Sequence, residues 1–426
     1  MRALRVSGAA GPVDAVVRVP GSKSVANRAL LCAALAGDGV SRISNVPGGD
    51  DCAAMLAALA GAGCVGDDGA VFGGRFPAAL VRFDAAIAGT TSRFLTAAAA
   101  LSEIGVVVDG GEPLRRRPMR DLHEALSSLG AKVEPLGEQG HLPVRVSRGA
   151  LAGGSVSVRG DVSSQFLSAL MLVGPCLRDG LVVTVSGGLV SRPYVEMTAD
   201  VMRAFGAEVE VGESGVVVRP VPYVATDYVV EPDFSSAAFP LMSLAFVEGR
   251  VRVPGLARAR LQGDSFVLDI ARSMGMDVGI DGDDIEVTRG PGTVLRPVNV
   301  DLRDASDLVP AVAVACTTVP GRSVLSGVGF IRSKESDRLS DLAHELNAAG
   351  ATVSVVEDGL VIDGGERIRA DATFATHHDH RLAMAFSLLA GGGHTCVIED
   401  PGVVSKSWPS FFEDMGRLLR VVEPLN

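Results

Sequence analysis

Two segments in the second half of the chain gather acidic and basic side chains of the kind that transfer protons and bind phosphate. The segment FIRSKESDRLSDL, residues 330–342, alternates in charge over seven positions, at Arg332, Lys334, Glu335, Asp337 and Arg338. The segment HHDHRLAM, residues 377–384, carries a second compact group that includes Arg381, and VSKSWP (404–409) adds the isolated Lys406. A salt-bridged surface helix is the structural alternative for the first segment.

One carboxylate stands apart from these groups. In RDASDLVPAVAVACT, residues 303–317, Asp307 comes directly before an apolar segment. Burial disfavours the charged form, so we predict that the pKa of Asp307 is raised towards that of a general base. A helix cap is the alternative. The histidines of 377–384 lack the spacing of a zinc site, so no metal is predicted.

Helix starts in the first half of the chain could bind anions. In VPGSKSVANRALLCAAL, residues 19–35, Ser22 or Ser24 can cap a helix from about Val25, with Lys23 and Arg28 in its first turns. In IAGTTSRFLTAAAAL (87–101), Gly89, Thr90 and Thr91 precede an alanine-rich helix. A plain cap is the alternative in both places.

Further polar groups follow in order along the chain. EPLRRRPMRDL (112–122) concentrates arginines on a predicted loop, and at least one, such as Arg117, could bind a carboxylate or phosphate. Neutral hydrogen-bonding groups that could contact a polyol or phosphate stand near two more helix starts, at Ser163, Ser164, Gln165, Ser191 and Tyr194.

The composition excludes several classes of protein. The 426 residues are 47% hydrophobic and 21% charged with a net charge of −11, which argues against disorder and against nonspecific nucleic-acid binding. No apolar stretch reaches the ~18 residues that span a bilayer, and the first 20 residues lack a secretion signal, so a cytoplasmic protein is expected. The six cysteines form no C-x-x-C pair and are expected to be reduced and buried.

A repeated pattern must position these groups. A helical segment, a glycine and a hairpin-like segment recur at 122–146, 197–220, 267–290 and 342–365, with a weaker copy at 55–74. The stop glycines Gly63, Gly130, Gly206, Gly275 and Gly350 lie 67, 76, 69 and 75 residues apart. The pattern predicts six α/β units of about 70 residues, the last truncated near Phe412–Val422.

The chain resembles the 5-enolpyruvylshikimate-3-phosphate synthase family over nearly its whole length. The resemblance rests on the Asp307 segment and on eight strings, PGSKSVANRAL, AGTTSRF, GEPLRRRP, DVSSQFL, SRPYVEM, SKESDRL, DHRLAM and SKSWP. It implies an α/β (α+β) fold of six βαβαββ units in two inside-out α/β barrel domains. Residues 1–20 with 234–426 would form one domain and 21–233 the other, with a two-strand hinge near 20 and 233.

The resemblance also implies the reaction, in which phosphoenolpyruvate gives its enolpyruvyl group to the 5-hydroxyl of shikimate 3-phosphate. Neither a metal nor an organic cofactor is implied, and a monomer is expected. Asp307 resembles the base at the hydroxyl and Glu335 the acid at the methylene, with Lys23 beside them. The residues implied to bind shikimate 3-phosphate are Lys23, Ser24, Arg28, Ser163, Ser164, Gln165, Ser191, Tyr194, Asp307 and Lys334. Those implied to bind phosphoenolpyruvate are Lys23, Gly89, Thr90, Arg117, Gln165, Arg338, Arg381 and Lys406.

Two positions depart from the family pattern. Ile87 stands where many members have Asn, and Phe330 replaces an Asn or His that often contacts the acceptor phosphate. They keep open a different acceptor, either UDP-N-acetylglucosamine or a cyclitol of specialised metabolism. Lys23-Ser24 and the absence of a cysteine in 115–120 argue against the former. A non-catalytic binder of anionic metabolites is the alternative from another class.

Overall fold

The fold repeats one arrangement of helices and strands, described here from a computed structural model. The structure describes residues 3–74, 76, 82–161, 163–365, 368–369 and 371–425. The chain divides into two compact units. Unit 1 comprises Met1–Pro20 and Glu231–Asn426, and unit 2 comprises Gly21–Val230. The hinge expected near 20 and 233 stays a prediction.

The elements are numbered in chain order. The α-helices of the described ranges are α1 Lys23–Leu35, α2 Asp50–Gly61, α3 Gly89–Ala99, α4 Glu112–Arg115, α5 Arg120–Ser128, α6 Ser164–Val173, α7 Arg192–Ala204, α8 Phe234–Met242, α9 Val267–Met274, α10 Val309–Cys316, α11 Arg338–Ala348, α12 His380–Ser387 and α13 Phe411–Asp414. The strands are β1 Ala3–Gly8, β2 Val13–Val16, β3 Val40–Ser41, β4 Ile43–Ser44, β5 Val71–Phe72, β6 Arg82–Asp84, β7 Val106–Asp109, β8 Lys132–Pro135, β9 Val144–Ser147, β10 Gly154–Arg159, β11 Leu181–Ser186, β12 Val209–Val211, β13 Gly215–Val218, β14 Tyr228–Val229, β15 Gly249–Val253, β16 Asp277–Asp281, β17 Asp284–Arg289, β18 Asn299–Asp301, β19 Gly321–Ser326, β20 Thr352–Val356, β21 Gly359–Gly364, β22 Ala372–Phe374, β23 Thr395–Glu399 and β24 Leu419–Leu425.

Three sheets show the complete repeat. Their strand orders are β6-β7-β9-β8, β10-β11-β13-β12 and β18-β19-β21-β20. In each, the first two strands pair in parallel across a helix, and the last two form an antiparallel hairpin. Two parallel neighbouring strands need a crossover connection, and the first helix of each repeat supplies it. This is the βαβαββ order, so the predicted fold class is confirmed.

The N-terminal strands complete two sheets of unit 1. Strand β2 pairs in parallel with β15 at the edge of the sheet β16-β17-β15-β2. Strand β1 lies between β23 and β24, antiparallel to both. The last repeat, which the sequence shows as truncated near Phe412–Val422, is therefore completed by the N-terminal strand β1.

The predicted stop glycines end helices as expected. Gly63, Gly130, Gly206, Gly275 and Gly350 all adopt positive φ, between 78° and 101°. At Gly130 an added Cβ would lie 2.9 Å from the Ala150 backbone, so both the conformation and the space require glycine. The hairpins β8–β9, β12–β13, β16–β17 and β20–β21 follow four of these glycines, which confirms the predicted pattern.

The innermost helices of each unit are the apolar ones. In unit 1, α8 and α10 are buried along their whole length, as is α12, and both α8 and α12 pack against α10. In unit 2, α1, α3 and α6 pack together in the same way. Their small side chains permit close approach, while the strands alternate buried and exposed residues and cover the outside. Each unit therefore keeps its helices inside and its sheets outside.

Two further findings bear on the sequence expectations. Within the described ranges, the helices are all too short or too polar to cross a membrane. All six cysteines are free thiols, and five of them are buried among apolar side chains, as predicted. Burial raises the pKa of Cys32 to about 12, which keeps this thiol protonated.

Candidate active-site residues

The N-terminal ends of several helices are tied together inside unit 2. Helix α1 begins at Lys23, two residues earlier than predicted. The Lys23 Nζ lies 2.8 Å from Oδ2 of Asp51 in the first turn of α2. The Thr91 hydroxyl, in the first turn of α3, donates to the Asp51 carbonyl at 2.9 Å and accepts from the Asn27 amide. Helix starts carry partial positive charge, so their convergence favours an anion.

Helices α6 and α7 join the same set. The Gln165 side-chain amide donates to the Thr90 hydroxyl at 3.3 Å, which links the starts of α6 and α3. The Ser163 hydroxyl accepts from the Gln165 backbone N–H, so Ser163 caps α6. Ser191 has a left-handed backbone, with φ 56°. The Ser22 hydroxyl is buried and has no hydrogen-bond partner among the described residues, so the predicted cap of α1 is absent.

Arg28 is a deeply buried cation of unit 2. Its guanidinium donates to Thr198 and Ser168 hydroxyls and to two backbone carbonyls, those of Ser24 and Tyr194. The Phe94 ring lies 5.1 Å from its Cζ atom. All these partners are neutral, and burial lowers the pKa of Arg28 to about 10. We name Lys23, Asp51, Arg28, Thr91 and Gln165 the Lys23 cluster.

The arginines of 112–122 have separate roles. The sequence predicts a loop, but α4 spans Glu112–Arg115. Arg115 forms a bidentate pair with Asp109, at 2.9 and 2.8 Å, so it serves an internal carboxylate. Arg117 lies against the start of α3, because a Cβ added to Gly89 would fall 2.5 Å from its Nη1. Gly89 and Thr90 belong to the first turn of α3, whereas the sequence analysis places them before it.

A denser set of charges lies in unit 1, around Arg338 at the start of α11. Its Nε donates to Asp379 at 2.8 Å, one Nη to Asp307 at 3.1 Å and the other to Glu335 at 2.9 Å. Arg338 is 1% exposed, so the salt-bridged surface alternative is wrong for this residue. Asp337 caps α11 through the Ser340 backbone N–H, which fixes the position of the arginine.

Two other cations complete this set. Arg381, in the first turn of α12, donates to Asp307 at 2.8 Å, and its backbone N–H donates to the capping Asp379. Lys406, at the end of the 3-10 helix Pro401–Lys406, lies 3.2 Å from Glu335 and is 2% exposed. Lys406 is isolated from other charges in the local sequence and finds its partner Glu335 only in the fold. We name Asp307, Glu335, Arg338, Asp379, Arg381 and Lys406 the Asp307 cluster.

The pKa expected for Asp307 is also wrong in direction. Burial by itself would raise the pKa of Asp307, but Arg381, Lys334 and Arg338 outweigh that effect and hold it well below its ordinary value. Asp307 is therefore a carboxylate at neutral pH. It does not cap α10, because the 3-10 turn Ser306–Leu308 precedes that helix. Burial opposes the charge of Arg338, but Asp379, Glu335 and Asp307 prevail and raise its pKa.

The histidines before α12 point in different directions. His377 lies 2.8 Å from Glu345 and 3.6 Å from Asp341, both on α11, while His378 is exposed near Asp400. His377 and His378 both have positive φ, which turns the chain sharply into the Asp379 cap. Among the described residues, His, Cys, Asp and Glu side chains form no group of three that could hold a metal ion.

The structure thus divides the predicted site residues into two sets. Unit 1 holds Asp307, Lys334, Glu335, Arg338, Arg381 and Lys406. Unit 2 holds Lys23, Ser24, Arg28, Gly89, Thr90, Arg117, Ser163, Ser164, Gln165, Ser191 and Tyr194. The site residues predicted from the sequence do not include Asp51, Asn27, Asp379 or the buried Asp264. Asp51 follows Asp50 at a helix start, and Asp379 lies within the histidine-rich segment, so both carried a local signal.

Comparison with known proteins gives the class of the fold. The solved EPSP synthase from Acinetobacter baumannii superposes with a TM-score of 0.80 at 25% identity, over 99% of this chain and all of that chain. The enolpyruvyl transferase NikO from Streptomyces tendae shares the fold with a TM-score of 0.77 at 18% identity, over 99% of this chain and 100% of that chain. The fold is that of the enolpyruvyl transferases.

Sequence comparison gives the family. The model of the EPSP synthase (3-phosphoshikimate 1-carboxyvinyltransferase) family matches residues 8–415, and the chain belongs to that family. A 3-phosphoshikimate 1-carboxyvinyltransferase from Methanothermobacter thermautotrophicus is 40% identical over 411 residues, 95% of this chain and 96% of that protein. One from Paraburkholderia phymatum is 38% identical over 424 residues, 96% of each.

Proposed function

We propose that this protein transfers the enolpyruvyl group of phosphoenolpyruvate to the 5-hydroxyl of shikimate 3-phosphate and releases inorganic phosphate. Family membership supports the reaction. The observation that carries the assignment of roles is the Asp307 cluster, in which one buried arginine bridges two carboxylates of opposite proposed tasks. We expect the enzyme to act as a monomer in the cytoplasm.

Asp307 and Glu335 each lie between two cations, and they share Arg338. Asp307 is ionised because Arg381, Lys334 and Arg338 hold its pKa low, so it can accept the proton of the attacking hydroxyl. Glu335 lies between Arg338 and Lys406. In the proposal it takes up a proton when phosphoenolpyruvate binds these two cations, and it delivers that proton to the methylene carbon. Protonation leaves a cationic carbon at C2, and the hydroxyl oxygen bonds to it. The product of this addition is a tetrahedral ketal phosphate.

Elimination reverses the proton transfer at the methyl carbon. One methyl proton leaves, its C–H electrons form the new double bond, and the C–O bond to phosphate breaks with the electron pair on phosphate. Arg338, Arg381 and Lys406 are the proposed partners of the anionic groups of phosphoenolpyruvate, with Gly89, Thr90 and Arg117 of unit 2. Cations that neutralise carboxylate and phosphate also stabilise the leaving group.

The unit 2 residues are proposed to bind shikimate 3-phosphate. Lys23, Ser24 and Arg28 lie on the first turns of α1, and Ser163, Ser164 and Gln165 at the start of α6. Ser191 and Tyr194 lie at the start of α7, and Lys334 of unit 1 completes the proposed set. Backbone N–H groups at helix starts, hydroxyls and ammonium groups are all suited to a phosphate monoester on a polyol.

A second acceptor is favoured by one specific observation. Phe330 is partly buried against the core, and the Lys334 Nζ lies 5.9 Å from the centre of its ring. A cation over the face of an aromatic ring is attracted by the ring's π-electrons. This surrounding differs from the Asn or His that the family resemblance implies, so an acceptor with a different polar group near Lys334 is the alternative.

Phosphate release with a panel of acceptors tests the proposal. We expect phosphoenolpyruvate with shikimate 3-phosphate to give turnover, and UDP-N-acetylglucosamine or an unphosphorylated cyclitol to give little. Preference for one of the latter would overturn the proposed acceptor and keep the reaction class. Absence of phosphate release with all acceptors, in protein that retains its thermal transition, would support a non-catalytic binder.

Two isosteric variants test the roles of the carboxylates. We expect Asp307→Asn and Glu335→Gln each to lower kcat by roughly 10²–10⁴-fold, the scale of lost acid–base catalysis. Asp269→Asn is the matched control, because Asp269 is exposed on α9 and pairs only with Arg272 among the described residues. Unchanged kcat in both cluster variants would refute these roles. Thermal melting of each variant separates lost catalysis from lost folding.

A further inference from the structure

A cavity of about 340 Å³ lies within unit 1, away from the Asp307 cluster. Ala245, Thr318 and Leu389 line it, and they lie at the C-terminal ends of the three inner helices α8, α10 and α12. Asp307 and Arg381 lie at the opposite, N-terminal ends of α10 and α12. Eight helical residues span about 12 Å, so this cavity and the Asp307 cluster are separate sites.

Two cations, Arg289 and Arg369, line the cavity together with the imidazole of His394. Arg289 donates through Nη1 to the carbonyls of Leu244 and Ala245, which end the first inner helix. Its Nε is buried and has no hydrogen-bond partner in the described part of the chain. Neither arginine forms a salt bridge with a described carboxylate, although Glu248 is near enough for its charge to act on Arg289. Arg250 and Arg252, in contrast, pair with Asp14 and Asp281.

Apolar side chains form part of the remaining wall, beside Thr318. Phe246, Ile368 and Leu389 line the cavity together with the backbone of Gly391 and Gly392. A Cβ added to Gly391 would lie 2.4 Å from the Phe246 Cβ, so this part of the backbone lies directly against the phenylalanine. The volume is in the range of small-molecule sites, which combine apolar walls with a few placed polar groups.

These observations define the chemistry of a ligand. A guanidinium group without a carboxylate partner binds carboxylate or phosphate oxygens through paired N–H groups. An apolar wall beside it selects a ligand that has a compact ring or aliphatic body. We propose that this cavity binds a small organic anion, with its carboxylate or phosphate group facing Arg289 and Arg369 and its apolar body against Phe246 and Ile368. This inference is independent of the proposed function.

Isothermal titration of the full-length protein with phenyl phosphate and with benzoate tests the proposal and distinguishes the two head groups. We expect at least one of them to bind, and Arg369→Ala to weaken its binding about tenfold or more, the scale of one lost charge-assisted hydrogen bond. His394→Ala should weaken it by a smaller factor. Arg272→Ala is the matched control in the same unit, because Arg272 is exposed and pairs with Asp269 on its own helix.

Two further measurements keep the result specific. Arg289→Met removes the inner cation, and its thermal transition shows whether the end of α8 stays folded. The Asp307 cluster also attracts anions, so Arg381→Gln is titrated in parallel. If the affinity for the probe falls in Arg369→Ala and is unchanged in Arg381→Gln, the probe binds in the cavity.

Three outcomes would overturn the proposal. The first is binding that is lost in Arg381→Gln and unchanged in Arg369→Ala, which places the probe at the Asp307 cluster. The second is no binding of either probe. The third is inorganic phosphate binding as tightly as phenyl phosphate, which shows that the apolar wall contributes nothing.

Discussion

Two buried arginines, Arg28 in unit 2 and Arg338 in unit 1, have very different electrostatic surroundings. Both are 1% exposed at the first turns of a helix. Arg28 has only hydroxyl and carbonyl partners, and burial lowers its pKa to about 10. Arg338 has three carboxylate partners, which raise its pKa. The charge of Arg28 is left uncompensated within its unit, while that of Arg338 is neutralised by its neighbours.

The two clusters therefore differ in how much of their positive charge is neutralised by protein carboxylates. In the Lys23 cluster the partners of Arg28 are neutral and the helix starts carry partial positive charge, so we expect an anionic ligand to be attracted there. In the Asp307 cluster, three carboxylates and three cations balance one another and lock each other's geometry. Such a network suits proton transfer, which requires fixed distances.

The largest loss of stability is expected when Arg338 is removed. Arg338→Met leaves three carboxylates around one buried space, so we expect the free energy of unfolding of unit 1 to fall by about 3–5 kcal/mol. Differential scanning calorimetry measures the loss, and Arg272→Met, which removes an exposed pair, should change little. Equal effects of the two variants would refute the structural role.

A smaller effect is expected for Arg28. Arg28→Met removes hydrogen bonds to neutral groups but also relieves the desolvation of a buried charge, so we expect a loss of about 1–3 kcal/mol in unit 2. Calorimetry on the same scale compares it with Arg338→Met. Because its charge is the proposed attraction for shikimate 3-phosphate, KM for that substrate should rise more than kcat falls. A loss as large as that of Arg338→Met would show that neutral partners hold a cation as firmly as carboxylates do.

A third prediction concerns Asp264, a buried carboxyl that lies in the electrostatic field of the Asp307 cluster. Burial and the charge of Asp307 raise the pKa of Asp264 to about 7, against the stabilising bond from Ser235 and the charge of Arg381. The folded state therefore binds this proton more tightly than the unfolded chain. Asp264 favours folding below its unfolded pKa of about 4, and that contribution is lost as the pH rises to about 7.

Asp264→Asn tests this sign. The variant cannot ionise at this position, so the difference in melting temperature between variant and parent should shift in favour of the variant as the pH rises from 5 to 8. Asp269→Asn, at an exposed position, should melt in parallel with the parent protein. A constant difference between Asp264→Asn and the parent over this range would show that Asp264 does not titrate there.

Much of the fold could be predicted because its signals are local. The glycine stops follow helical segments within a few residues, and the hairpins follow the glycines. The N-terminal strands β1 and β2 could not be placed in this way, since their partners β23, β24 and β15 lie at distant points of the chain. Short strands carry no information about which distant edge they join.

The candidate site likewise combines features that can be recognised locally in the sequence with features that depend on distant residues. The residue types at Lys23, Asp307, Glu335 and Arg381 mark positions where phosphate binding and proton transfer are chemically suited, and they can be recognised in the sequence. The ionisation of Asp307 was decided only by the tertiary structure, because it depends on Arg338 and Arg381, which lie 31 and 74 residues further along the chain. Coulombic interaction falls with distance in space, and distance along the chain does not reveal it. The sequence determined which groups could ionise, and the packing of α11 and α12 against the turn before α10 determined that this carboxyl does.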